Sequence, residues 1–240
     1  MKKVIYIILF ACTFLVNAQE FKLSPYTQYL IENPFVISPV YAGFDPDVNR
    51  LRISGVSQWV GFKNAPSEQT ISFDTRLNND KSGVGIIIYN DKNGNTKQVG
   101  AQLSYAHHLI LNDANDQYLS LGISYKFNHF KIDTKDFTNG SGDPIDDPGV
   151  DAGQSTANHN FEFGFLYRIE KFFFTLNASN ILNKNIKIFG RTEPIKLRNY
   201  YVYTGYTFIS NSEEYEYEPS IYFNYFEGDK RSVTDLNVKV

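Results

Sequence analysis

From position 50 onward, apolar and polar residues take turns along the chain. Leu51, Ile53 and Trp59 fall on one side, with Arg52, Ser54 and Gln58 on the other. Ile71, Phe73 and Leu77 then oppose Ser72, Asp74 and Arg76. A period of two residues is that of a strand with two different faces. The pattern recurs with Val99, Ala101, Leu103 and Tyr105 against Gln98, Gln102 and Ser104. It recurs again with Leu119, Leu121, Ile123, Tyr125 and Phe127 against Ser120, Ser124, Lys126 and Asn128, and with Phe161, Phe163, Phe165 and Tyr167 against Asn160, Glu162 and Arg168. It predicts ten strands, at about 50–60, 70–77, 83–90, 98–111, 117–133, 158–169, 172–179, 198–209, 215–226 and 232–240, and no segment has a helical period. A charged face behind an apolar face suits a membrane barrel with a wet interior. It also suits a sandwich strand with one face in water.

The connections separate these two readings. The first, third, fifth and seventh (61–69, 91–97, 134–157 and 180–197) are the longer ones. The second, fourth, sixth and eighth (78–82, 112–116, 170–171 and 210–214) are short, and the short ninth, 227–230, breaks the rule. In an up-and-down antiparallel chain, odd connections share one end and even ones the other. Membrane barrels sort their loops by length in this way, whereas Greek-key sandwiches do not. The expected fold class is all-β, an antiparallel up-and-down outer-membrane β-barrel. The last residues, Thr234, Leu236, Val238 and Val240 against Asp235, Asn237 and Lys239, stop within an alternating run. A truncated or incomplete barrel of about ten strands in this chain is therefore the other form of the same expectation. An open edge in lipid would leave backbone groups unpaired at a cost of several kcal/mol each.

Upstream of this pattern the chain reads differently. Lys2 and Lys3 precede an apolar run at 4–16 and the small-residue end Val16-Asn17-Ala18, which predicts a signal peptide over 1–18. The run is shorter than the ~20 residues of a spanning helix. Pro25, Pro34, Pro39 and Pro46 exclude a long helix or a central strand over 19–49. That region is expected to be an extended segment, a plug or a docking tail, ahead of a barrel over 50–240. The only cysteine, Cys12, leaves with the signal, so no disulfide can form within the rest of the chain. Without Lys2 and Lys3 there are 21 basic and 26 acidic residues, a net −5, and no basic stripe suggests nucleic acid. The 17 Tyr and 20 Phe fit a β-rich chain.

Candidate chemistry is sparse. His107 and His108 are neighbours in a strand and face opposite sides, so they cannot share a metal. Asp143, Asp146, Asp147 and Asp151 form an acidic group in the longest loop, without a calcium-loop spacing. Asp91, Asn93 and Asn95 have Thr96 where a calcium loop needs Gly, and a type I′-like turn is expected there instead. Ser155 and His159 are too close in sequence to suggest a catalytic pair, and no hydrolase, zinc or phosphate-loop motif occurs. No enzyme, cofactor, metal or small-molecule substrate is expected. Trp59 with Phe62 reads as a recognition element or as part of an interfacial aromatic girdle.

Three stretches carry a resemblance. Residues 24–43 read SPYTQYLIENPFVISPVYAG, 58–66 read QWVGFKNAP, and 83–94 read GVGIIIYNDKNG. They resemble the motifs of the PorP/SprF family of type IX secretion system outer-membrane proteins: Tyr-x-Gln-Tyr, then Asn-Pro and Tyr-Ala-Gly; Gln-Trp-x-Gly-Phe-x-x-Ala-Pro; and Gly-x-Gly ending in Asn-Asp-x-x-Gly. Ser38, Val40 and the run Phe73, Asp74 and Thr75 depart from the family pattern, and the resemblance is specific over about 24–105. The family is longer than this chain and closes with further strands. The resemblance implies an outer-membrane component that aids export or surface anchoring of client proteins, gliding adhesins among them. Other secretion components, a secreted client and membrane lipid are the partners it implies. It singles out Trp59, Gly61, Phe62, Ala65 and Pro66 in the box, Asn33, Pro34, Tyr41, Ala42 and Gly43 upstream, and Asn90, Asp91 and Gly94 as partner-binding positions. A secreted soluble β-sheet adhesin and a passive outer-membrane pore are the alternatives.

Overall fold

The computed structural model describes residues 33–78, 81–133, 155–182, 198–210, 214–228 and 230–240. The alternating segments form strands β1 (Arg50–Ser57), β2 (Ser67–Arg76), β3 (Ser82–Asn93), β4 (Thr96–Asn112), β5 (Gln117–Ile132) and β6 (Ser155–Ile169). They continue as β7 (Phe172–Ser179), β8 (Asn199–Tyr206), β9 (Phe208–Ile209), β10 (Glu216–Phe226) and β11 (Ser232–Lys239). Two single turns of 3-10 helix, Pro34–Val36 and Pro39–Tyr41, precede β1, each started by a proline.

The strands pair antiparallel in sequence order from β1 to β8, then β10 and β11, with β9 attached to β10 alone. The expected strand 198–209 is thus divided in two. At the break the register with β10 continues, from Gly205 opposite Ser220 to Phe208 opposite Tyr217, but Pro219, which has no N–H to give the ladder, falls opposite Tyr206. The first strand also stops early, at Ser57, because Trp59 takes a left-handed backbone with φ 51°. The third connection shrinks to the two residues Gly94 and Asn95. Only Gly94 has positive φ there, 61°, which is the hairpin class with Gly first rather than the I′ form.

Among the described residues β1 and β11 are not paired with each other, so the sheet is not closed. It is nevertheless strongly curled. Arg50 and Arg52 on β1 and Lys239 on β11 line the same cavity.

The faces of this sheet are reversed relative to a water-soluble protein. Among the described residues, twenty buried side chains are polar or charged against fourteen apolar ones, and five of those fourteen precede β1. Ile71, Phe73, Leu103, Leu121 and Phe163 point outward and are exposed, and Phe165 lies on the same face. In water such an arrangement would forfeit the apolar burial that stabilises folds. It is the arrangement of a barrel wall with lipid outside and polar groups inside. The Lys126 ammonium meets the buried Glu162 carboxylate at 2.6 Å within that interior, and Ser179 and Asn177 supply further hydrogen bonds.

Candidate functional site

Strand register places small residues side by side on the concave face. Gly83, Ala106, Gly122 and Gly164 are successive cross-strand neighbours over β3 to β6, bounded by Arg76 on β2 and Asn177 on β7. Glycine is disfavoured in strand interiors unless something approaches closely. Here the chain ahead of β1 does. A Cβ at Gly122 would sit 2.6 Å from the Val40 nitrogen, and one at Gly164 would sit 2.5 Å from Ser38 Oγ. A Cβ at Gly83 would run into the Ala42 carbonyl, and one at Gly85 into the Phe35 ring.

Residues 33–44 lie in this track and are held mainly by polar bonds to the wall. Ser38 Oγ donates to Asn177 Oδ1 at 2.9 Å, and the Tyr41 hydroxyl and Thr175 Oγ1 are 2.6 Å apart. His108, buried and facing inward, bridges the Ala42 carbonyl at 3.0 Å and Ser120 Oγ at 2.8 Å. The Gly43 N–H donates to Asp74 at 3.1 Å, and the Arg76 guanidinium reaches the carbonyls of Gly43 and Phe44 at 2.5 Å each. Gly43 has φ 57° and lies against the Thr75 backbone, so no other residue fits there without strain. Asn33 donates to Ser72 at 2.9 Å and accepts from Arg52 at 3.3 Å. Burial raises the Tyr41 phenol pKa well above its ordinary value, outweighing the lowering effect of the Thr175 bond.

Beside this segment, at the end of the short turns, lies a cavity of about 310 Å³. It is lined by the rings of Phe35, Phe44, Phe173 and Tyr203 and by charged residues that include Arg50, Asp74, Arg168 and Glu218. The Arg168 guanidinium lies 5.9 Å from the Phe44 ring centre.

The box 59–66 lies at the other end. Gln58 N donates to the Pro66 carbonyl, Phe62 N to Trp59, and Ala65 N to Phe62, at 3.0–3.3 Å. Gly94 N donates to the Asn64 carbonyl at 3.1 Å, and the Asn64 and Asn95 side chains bond at 2.8 Å. The loop is thereby fixed to the β3–β4 turn. Gly61, with φ 107°, takes a torsion few other residues adopt. Yet the apolar side chains of the loop stand out: Trp59 is 70% exposed, Val60 83% and Phe62 77%.

The candidate residues therefore divide into two groups. Pro34, Tyr41, Ala42 and Gly43, with Asn33 at their head, belong to the inner segment. Trp59, Gly61, Phe62, Ala65 and Pro66 form the rim loop, with Gly94 bonded to it. Asn90 faces outward on β3, bonded to Gln69 at 2.5 Å, and Asp91 alternates inward beside it. The structure does not bring the inner group to the rim group. Ser155 and His159 both lie on β6, and His159 pairs with the Tyr125 hydroxyl on the outer face. The signal segment 1–18, the acidic residues Asp143, Asp146, Asp147 and Asp151, and most of the seventh connection lie outside the described residues. Of the wall positions that hold the inner segment, His108 stood out in the sequence only as a metal ligand to be excluded and Gly83 only as part of a motif, while Thr175, Asn177, Gly122 and Gly164 did not stand out. The signal available there was glycine at inward parity in otherwise strong strands.

In comparison with known proteins, residues 18–240 match the family model described as type IX secretion system membrane protein PorP/SprF. No curated protein matches the chain.

Proposed function

The chain belongs to the PorP/SprF family of type IX secretion system membrane proteins, and we propose that it aids export or surface anchoring of a client protein through the rim loop 59–66. It is an outer-membrane component of that system, and membership implies contact with other secretion components. One observation carries the finer reading: Trp59, Val60 and Phe62 are exposed on a loop whose backbone is fixed by four hydrogen bonds. Exposed apolar groups on a fixed loop mark a contact surface, because little entropy is lost when they are covered. The client is a secreted protein, a gliding adhesin being one such class. The long-loop end faces out of the cell in this reading, and residues 33–44 act as a plug. Their fit against the wall, through neutral and charged hydrogen bonds, supports a blocked lumen over a passive pore.

The test is Trp59→Ala with Phe62→Ala. Folding, read as heat-modifiable gel migration, should be unchanged, while client export or surface retention falls. If both are unchanged, the aromatic pair serves only as an interfacial girdle. Single cysteines introduced by Asn64→Cys and Asn115→Cys check sidedness with an impermeant reagent on intact cells. The first should react and the second should not.

A further inference from the structure

The outer face carries a second cross-strand row, above the apolar band at the long-loop end. Lys92 pairs with Lys97, and Lys97 pairs with Lys131, so three lysines are direct neighbours across β3, β4 and β5. The row is flanked by Ser67 on β2 and Ser155 on β6. All three lysines are exposed and outward, because the alternating residues Gln98 and Phe130 are buried inside. Like charges directly opposite one another destabilise a sheet. Among the described residues no carboxylate is in ion-pair contact with any of the three ammonium groups. An adjoining cavity of about 190 Å³ is lined by these lysines with Asn64, Asn95 and Asp133. Among the described residues Asp133 is the single acidic group lining it, and it opposes an anion.

Height on the wall identifies the ligand. The next outward row toward the middle is Gln69, Asn90, Val99 and His129. The row after that is Ile71, Ile88, Ala101 and Phe127, where the apolar band begins. Each step is two residues, about 7 Å along a strand and about 5 Å vertically once strands tilt by roughly 40°. The lysine Cα atoms thus stand about 10 Å beyond the first apolar row, with stems long enough to bend toward it. That is the level of lipid headgroups, on the lipid side of the wall.

We propose that Lys92, Lys97 and Lys131 form a site for a lipid-borne phosphate monoester of the outer leaflet, as carried by lipid A. A dianion meeting three ammonium groups relieves their mutual repulsion and outweighs Asp133. The assignment to the outer leaflet rests on the outward orientation proposed above, which the Asn64→Cys labelling tests separately.

The experiment uses the full chain folded in detergent micelles and native mass spectrometry. The probes are bis-phosphorylated lipid A, the same lipid with both phosphates removed, phosphatidylglycerol and inorganic phosphate. Wild type and a control, Lys171→Gln with Lys239→Gln at the opposite end, should retain bis-phosphorylated lipid A. Lys92→Gln/Lys97→Gln/Lys131→Gln should bind it at least tenfold more weakly. Lys97→Gln alone should weaken it severalfold, which keeps the test decisive if the triple variant misfolds. Equal binding by the variants and wild type would overturn the site. Equal binding of the dephosphorylated lipid or of phosphatidylglycerol would overturn the phosphate-monoester assignment. Inorganic phosphate bound as tightly as lipid A would overturn the lipid source.

Discussion

Gly122→Ala is the most direct test of the inner track. The added methyl would lie 2.6 Å from the Val40 nitrogen and 2.8 Å from the Pro39 carbonyl carbon. Both are backbone atoms, so no side-chain rotation relieves the contact. The inner segment itself must move, and it is pinned on either side by Ser38 on Asn177 and Tyr41 on Thr175. Gly55 on β1 is the control, since a methyl there meets nothing within 4 Å. Alanine in place of glycine in an unobstructed strand stabilises by about 0.5–1 kcal/mol. Overpacking by one methyl destabilises by about 1–3 kcal/mol. That backbone gain is common to both substitutions, so they should differ by the overpacking alone, about 1–3 kcal/mol, with Gly55→Ala the more stable. Stability is measured by urea unfolding in lipid vesicles, following the heat-modifiable gel band. A thiol introduced by Ser38→Cys reports the position of the segment, because Ser38 is wholly buried. If the segment shifts instead of straining the wall, the stability difference shrinks and the thiol becomes reactive. The reasoning fails if Gly122→Ala is as stable as Gly55→Ala while the thiol stays protected.

Two further outcomes follow from the two faces of the wall. Leu121→Lys and Phe163→Lys each place a charge on the apolar outer face and should lower stability by about 2–4 kcal/mol if near mid-membrane, and normal assembly of both would refute the lipid-facing assignment. Tyr41 has a folded pKa above its unfolded value near 10, so the unfolded chain loses this proton first. Its contribution is fully present below pH 10 and declines by about 1.4 kcal/mol per unit above it. Comparing wild type with Tyr41→Phe in urea at pH 9 and pH 11 isolates that decline, and an identical change in both proteins would contradict it.

The strands were legible because alternation is local. Leu103, Ser104 and Tyr105 declare their faces within three residues, and the structure follows them. The misreadings also have local causes. Trp59 continues the alternation in sequence but not in backbone torsion, and Pro219 opposite Tyr206 has no N–H for the ladder. The glycine track could not be read in the same way. Gly83, Ala106, Gly122 and Gly164 are far apart in sequence, and only register makes them one surface. The same holds for Lys92, Lys97 and Lys131 on the other face. A resemblance could single out Tyr41, Ala42 and Gly43 as a motif, but not say that Thr175, His108 and Asp74 receive them. Alternation along one strand states which solvent each face meets, lipid or lumen. Composition across strands, along one register row, states what the wall holds: small residues where the inner segment lies against it, and on the outer face three adjacent lysines that no carboxylate among the described residues contacts. The rows that hold the inner segment and gather the lysines therefore run at right angles to the pattern that specifies the fold. A one-residue slip of a single strand would keep the alternation but move that strand's member of each row to the opposite face.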